Sequence, residues 1–171
     1  MVSRSSTTAP LRRAETEAGA PTPVILIIEA RFYEDIAEEL VQGAIAAIEA
    51  RGASYMRVQV PGALEIPAVI RFAVGSMTLT EGHRRFDGYV ALGCVIRGET
   101  THYDHVCTES IRGVHDLALR YALAVGNGIL TVENFDQAWS RAARDKGNKG
   151  GVAANAALDM VAIKHSFLPR R

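Results

Sequence analysis

The sequence predicts one α/β domain in which helices cover both faces of a parallel four-stranded sheet, a three-layer α/β/α arrangement. Short apolar runs of strand length alternate four times with longer segments of helical spacing, and the first run is continuously apolar from Val24 to Ile28. Such alternation is typical of right-handed β-α-β units, and continuously apolar strands are typical of a sheet covered on both faces. With 171 residues, 48% of them hydrophobic, the chain is long enough to bury one such core.

Each element follows from its local spacing and from the residues that interrupt it. Apolar runs of strand length predict strands at residues 24–29, 55–60, 88–95 and 128–132. Apolar residues at helical spacing predict helices at residues 33–51, 63–77, 102–124, 134–144 and 148–167. Gly52 ends the first helix, Pro61-Gly62 ends the second strand, and Gly147 separates the last two helices.

Two segments fall outside this alternation. Residues 1–22 are rich in Ser, Thr, Ala, Pro and Arg and have no periodicity, so we expect a flexible tail ahead of a domain at residues 23–171. Residues 79–85 are mostly polar and predict a loop between the second helix and the third strand.

The composition excludes several classes of function. Nineteen basic and nineteen acidic residues cancel, so we expect no nucleic-acid partner and no binding to an anionic membrane. The longest apolar run near the start is too short to span a bilayer, and no signal peptide precedes it, so we expect a cytoplasmic protein. The two cysteines, Cys94 and Cys107, lack the spacing of a zinc site, and we expect no metal.

Polar and aromatic residues follow the ends of the predicted strands. The carboxyl ends of parallel strands meet at one edge of a sheet, which is where ligands of open α/β folds bind. We therefore expect the segments after all four strands to converge on one rim. The residues of interest there are Phe32, Ala63, Leu64, Glu65, Cys94, Val95, Ile96, His102 and Arg141.

The segment from Gly93 to Asp104 is the most informative part of the chain. A strand ends there in a turn rich in Gly and Thr that opens a helix. A helix N-terminus of this kind binds anions through its unpaired N–H groups and its dipole, and His102 is a suitable proton shuttle near neutral pH. Two plainer interpretations stay open: Thr100 or Thr101 caps the helix, and His102 only bonds to the turn.

The other polar candidates also have a structural alternative. Glu65 lies in an apolar segment, where its carboxylate can bind hydroxyls or ring N–H groups, or simply favour a helix N-terminus. Phe32 can stack on a flat ring or serve in packing. Arg141 can bind an anion as a fork-shaped donor or stay in solvent. The Gly-rich turn at residues 146–151 lacks the ending of a nucleotide-binding P-loop.

Four motifs together resemble the 6,7-dimethyl-8-ribityllumazine synthase family of riboflavin biosynthesis. They are Pro61-Gly62-Ala63-Leu64-Glu65-Ile66-Pro67, the run from Gly93 to Asp104, Thr131-Val132-Glu133-Asn134 and Gly147-Asn148-Lys149-Gly150. The resemblance covers residues 24–167 and implies a flavodoxin-like sheet of order 2-1-3-4. It also implies condensation of 5-amino-6-(D-ribitylamino)uracil with 3,4-dihydroxy-2-butanone 4-phosphate, the penultimate step of the pathway, without metal or organic cofactor.

The resemblance assigns a role to each matching residue. His102 matches the catalytic histidine, and Phe32 matches the aromatic residue that stacks on the pyrimidine. The segments that hold the ring and the ribityl chain are matched by Ala63, Leu64, Glu65, Cys94, Val95 and Ile96, with Lys149 near the ribityl chain. Glu99, through its backbone, and Thr100 match the phosphate-binding turn, with Arg141 as the basic partner. Asn127 stands where many members carry an aromatic residue from the neighbouring subunit, which predicts altered stacking.

Partners follow from the same resemblance. It implies a homopentamer with active sites between subunits: Phe32, Glu65 and His102 come from one chain, and Asn127 and Arg141 from the next. Some members assemble further into a shell of sixty chains, and an association with riboflavin synthase is also implied.

Three other functions stay open. An archaeal-type riboflavin synthase shares the architecture but uses no phosphorylated substrate, which the turn around Thr100 argues against. A flavin- or lumazine-binding shell protein with low activity is kept open by Asn127. A phosphate-binding regulatory module is the weakest alternative, because it leaves Phe32 and Glu65 without a role.

Overall fold

The computed structural model describes residues 22–76 and 85–167. In chain order the strands are β1 (Val24–Ala30), β2 (Ser54–Val60), β3 (Gly88–Ile96) and β4 (Ala124–Val132). The helices are α1 (Glu34–Ala50), α2 (Ile66–Gly75), α3 (His102–Tyr121), α4 (Phe135–Ala142) and α5 (Lys149–Ser166), and a single 3₁₀ turn (Ala63–Glu65) precedes α2. No helix in the described ranges is both long and apolar enough to cross a membrane.

The strands form one parallel sheet in the order β2-β1-β3-β4, as the resemblance implies. Side chains alternate across β1: Ile25 and Ile27 pack on one face with α1, α4 and α5, whereas Leu26 and Ile28 pack on the other with α2 and α3. Both faces of the central strands are therefore buried, which explains their continuously apolar sequence. This confirms the predicted three-layer α/β/α fold.

The boundary between α3 and β4 corrects two predictions. The helix predicted at residues 102–124 ends at Tyr121, because Ala122 adopts a left-handed conformation (φ 48°) and its N–H bonds back to Ala118 and Leu119. The strand predicted from residue 128 begins at Ala124 instead. Gly126 and Gly128 both lie within this strand and allow close approach of α5: a methyl group at Gly126 would overlap the carbonyl of Ala153.

The second predicted helix is shorter than expected. Residues 63–65 form the 3₁₀ turn, and the α-helix proper begins at Ile66, followed by Pro67 in its first turn. Its predicted end at residue 77 and nearly all of the predicted loop at residues 79–85 lie outside the described residues. The predicted tail at residues 1–22 also lies outside them, apart from Thr22.

A buried carboxylate joins the first two strands. Glu29, at the end of β1, is 0% exposed. Its Oε2 accepts hydrogen bonds from Arg31 (2.8 Å) and Arg57 (3.1 Å), and its Oε1 accepts a second bond from Arg57 (2.8 Å). Arg31 also donates to Glu38 of α1 (3.1 Å). A charge buried this deeply needs such partners, so Glu29 ties β2 and the turn after β1 to one point.

Candidate active site

A cavity of about 320 Å³ opens at the carboxyl ends of β1, β2 and β3. Three segments form its walls: the turn after β1, the turn after β2, and the end of β3 with the start of α3. Of the residues predicted from sequence it is lined by Phe32, Ala63, Leu64, Glu65, Cys94, Val95, Ile96, Thr100 and His102. The lining residues that the sequence did not single out are Tyr33, Gly62, Gly98, Tyr103 and Val106.

The first wall presents a flat aromatic face. Phe32 is 74% exposed and touches Tyr33 edge-on, with the ring centroids 5.0 Å apart. Tyr33 lies at the N-cap of α1, so its position is fixed by the helix that follows. An aromatic ring left this exposed beside a cavity is suited to stacking against a planar ligand.

The second wall combines small and acidic residues. Gly62 is extended and Ala63 is buried, so the 3₁₀ turn holds Leu64 and Glu65 outward at the rim. Among the described residues, none donates a hydrogen bond to the Glu65 carboxylate. Its oxygens are therefore available as acceptors for hydroxyl or N–H groups of a ligand.

The end of β3 forms the floor of the cavity. The pairing of β1 with β3 stops at Leu92, whereas β3 continues to Ile96 and pairs there with β4. The edge of residues 93–96 that faces the cavity is consequently outside the ladder with β1, and its backbone groups can bind a ligand. Cys94 is buried in this floor, and burial raises the pKa of its thiol to about 12.

The turn that follows β3 ends in the exposed N-terminus of α3. Thr101 is the N-cap residue but makes no side-chain cap, and the Thr100 hydroxyl accepts a long bond (3.4 Å) from the His102 N–H. A methyl group at Gly98 would meet no atom within 4 Å, so the turn has open space on its outer side. Exposed N–H groups, hydroxyls and an imidazole therefore lie together at the mouth of the cavity.

Comparison with known proteins decides among the functions that this geometry permits. A sequence model of the 6,7-dimethyl-8-ribityllumazine synthases matches residues 23–165. The chain belongs to this family. A Bartonella tribocorum protein with the family's name is 54% identical over 145 residues, 85% of this chain and 92% of the relative. A Rhizobium meliloti protein named 6,7-dimethyl-8-ribityllumazine synthase 1 is 57% identical, over 82% of this chain and 90% of its own length. An Azorhizobium caulinodans protein, again with the family's name, is 51% identical, over 92% of this chain and 97% of the relative.

Four predicted site residues do not line the cavity of this family member. Glu99 lies exposed in the turn, and Lys149 is exposed at the start of α5. Arg141 lies on α4, where its Nη1 donates to the carbonyl of Gln137 (2.9 Å). Asn127 lies within β4, and its Oδ1 accepts a bond from the Ile129 N–H (3.0 Å). The carboxyl ends of all four parallel strands lie at one edge of the sheet, as predicted, but among the described residues only the segments after the first three strands line this cavity.

Asn127 lines a second groove instead. This groove lies between α3, β4 and α5, and its other walls include Leu119, Met160 and Phe167. Those three side chains are 71%, 44% and 83% exposed. An exposed groove lined by several large apolar side chains indicates a surface that contacts another molecule.

Sequence reasoning missed Tyr33 and Tyr103. Each directly follows a residue that was predicted, Phe32 or His102, but adjacency in sequence does not show which side chains turn inward. Tyr103 is partly buried, and burial raises the pKa of its phenol. The two rings add apolar walls beside the residues that carry polar groups.

Proposed function

We propose that this protein condenses 5-amino-6-(D-ribitylamino)uracil with 3,4-dihydroxy-2-butanone 4-phosphate to 6,7-dimethyl-8-ribityllumazine, releasing phosphate and water. One observation carries the proposal. In a chain of this family, a single cavity joins an exposed ring, an open strand edge, a free carboxylate and a helix N-terminus with its histidine. These groups complement a pyrimidine, a polyol chain and a phosphate.

The pyrimidine substrate fits the inner part of the cavity. Its ring stacks on Phe32 while its polar edge bonds to the backbone of Cys94, Val95 and Ile96. The ribityl hydroxyls donate to the Glu65 carboxylate, beside Ala63 and Leu64. Stacking and the open strand edge orient the ring, and the polyol contacts add binding energy without chemistry.

The second substrate fits the outer part. Its phosphate accepts bonds from the backbone of Glu99 and from Thr100 at the N-terminus of α3. His102 then lies next to the carbon skeleton that reacts. Imine formation, loss of phosphate and ring closure each move a proton, and the imidazole transfers these protons near neutral pH. Much of the acceleration comes from holding both substrates in one cavity, and no step requires a metal or an organic cofactor.

A neighbouring copy of the chain completes this site in our proposal. Asn127, Arg141 and Lys149 lie away from the cavity of their own subunit, and Asn127 sits in the exposed apolar groove. In a homopentamer, Arg141 of the next subunit binds the phosphate as a fork-shaped donor, with Asn127 beside the pyrimidine. A shell of sixty chains and an association with riboflavin synthase stay predictions from the resemblance.

We also place the reaction in the cytoplasm. Both cysteines are free thiols. Unpaired cysteines are typical of proteins in reducing compartments.

An assay with two readouts tests the proposed reaction. The purified protein is mixed with the ribitylaminouracil, with and without the butanone phosphate, while lumazine absorbance and phosphate release are followed together. We expect equal amounts of both products, and only when both substrates are present. Riboflavin formation from lumazine without the phosphate would favour an archaeal-type riboflavin synthase. Tight riboflavin binding with negligible condensation would favour a flavin-binding protein, and Asn127→Phe would then be the first variant.

A further inference from the structure

The side chain of Arg97 connects three elements next to the turn at residues 98–101. Its Nε donates to Glu133 after the end of β4 (2.8 Å), and its Nη2 donates to Asp104 in the first turn of α3 (3.2 Å). The guanidinium also lies over the ring of Tyr103, 4.1 Å from the centroid. Tyr103 lines the cavity, whereas Arg97 does not, so any effect of Arg97 on the cavity passes through its neighbours.

The two carboxylates that Arg97 bonds would weaken phosphate binding if they were not neutralised. Asp104 and Glu133 flank the turn, and a doubly charged phosphate bound there would be repelled by both. Arg97 supplies the positive charge that offsets them. Its guanidinium stays charged at any pH of interest, and the hydrogen bond to Asp104 is the largest of the causes that raise its pKa further.

Stability alone gives little reason for this arrangement. The side chains of Arg97, Asp104 and Glu133 are 39%, 55% and 56% exposed, and ion pairs exposed to this degree contribute little to folding. The stacking on Tyr103 restrains the residue that follows His102. The arrangement therefore acts on the charge and shape of the turn more than on the fold.

We propose that Arg97 is a positioning residue for the phosphorylated substrate: it neutralises Asp104 and Glu133 and holds Tyr103, without touching the phosphate itself. This inference rests on the placement of that phosphate at Thr100 in the proposed function. It assigns to Arg97 a part in substrate selectivity that is separate from proton transfer.

Steady-state kinetics of Arg97→Ala test the proposal. We expect the KM for the butanone phosphate to rise by about 5- to 20-fold, since two uncompensated charges then face the phosphate. The kcat and the KM for the pyrimidine should change by less than about twofold. Arg112→Ala is the matched control, because Arg112 also bonds two carboxylates, Glu109 and Asp116, but both lie farther along α3 and do not flank the turn at residues 98–101.

A charge rescue separates this role from a structural one. Adding Asp104→Asn and Glu133→Gln to Arg97→Ala should bring the KM for the butanone phosphate back to within about threefold of the parent, because the repelling charges are gone. A structural role predicts no recovery. If Arg97→Ala does not fold, Glu133→Gln alone still decides: it should lower the KM for this substrate, and an unchanged or higher KM would overturn the proposal.

Thr100→Ala distinguishes failure of the inference from failure of the proposed site. If Thr100→Ala leaves the KM for the butanone phosphate unchanged, the phosphate does not bind at Thr100, and both its proposed placement and the role of Arg97 are wrong. If Thr100→Ala raises this KM but Arg97→Ala does not, the site stands and only the role of Arg97 is wrong.

Discussion

In the proposed reaction, His102 is the side chain that transfers protons. It is exposed at the mouth of the cavity, at the first residue of α3. We expect His102→Ala to lower kcat by about 10- to 10³-fold without abolishing turnover, because holding the two substrates together does not need the imidazole. Stopped-flow absorbance measures this. His105→Ala, three residues along the same helix and outside the cavity lining, is the control that should stay near the parent rate. Complete loss of activity in a folded His102→Ala protein would show that holding the two substrates together is not enough for turnover.

Cys94 lines the cavity but is predicted to be chemically silent. Burial raises the pKa of its thiol to about 12, so the reactive thiolate is scarce at pH 8 and becomes abundant only near pH 12. In a Cys107→Ser protein, where Cys94 is the remaining thiol of the sequence, we expect iodoacetamide at pH 8 to leave both mass and activity unchanged for an hour. Rapid modification with loss of activity would show that the thiol is neither buried nor neutral in solution.

Contact between α1 and α5 depends on a glycine. At Gly150 a methyl group would overlap the backbone of Leu40, so the two helices approach as closely as they do only because this position lacks a side chain. We expect Gly150→Ala to destabilise the protein by at least about 2 kcal/mol. At Gly98, by contrast, a methyl group meets no atom within 4 Å. Thermal unfolding at equal protein concentration measures this. The midpoint temperature should fall for Gly150→Ala and stay close to the parent value for Gly98→Ala. Equal midpoints for the two variants would contradict the packing described.

Strands and helices were predictable from sequence wherever a single local pattern decided them. The apolar runs gave β1 and β3, and helical spacing gave α1. The end of α3 was not predictable, because Ala122 has no intrinsic preference for the left-handed conformation that it adopts. The start of β4 was missed for a related reason: Gly126 and Gly128 act as contact points for α5, and such tertiary packing leaves no local signal.

The residues of the cavity were also predictable only where a local pattern in the sequence placed them. Residues in turns directly after β1, β2 and β3 could be predicted, because parallel strands place their carboxyl ends at one edge. Tyr103 and Arg97 required the structure, since their roles depend on contacts between α3, β3 and β4. The buried position of Glu29 could not be read from an apolar strand either, because its partner Arg57 lies on another strand.

In a single chain, two basic residues that were predicted for the site lie outside the cavity. Arg141 and Lys149 do not line it, yet a dianionic substrate calls for a cation. The exposed apolar groove that contains Asn127 offers a surface through which a second chain can dock. Both features have one explanation in the proposed pentamer, in which each cavity borrows residues from the adjacent subunit.

Mixed oligomers test whether each cavity is shared between adjacent subunits. His102→Ala and Arg141→Ala chains are co-expressed in equal amounts and assayed at a butanone phosphate concentration below the parent KM. If each site combines His102 of one subunit with Arg141 of the next, about a quarter of the sites in a random mixture keep both residues. We expect activity near that fraction of the parent, well above either variant alone. Activity no higher than the mean of the two variants would mean that each chain builds its own site and that the shared cavity is wrong.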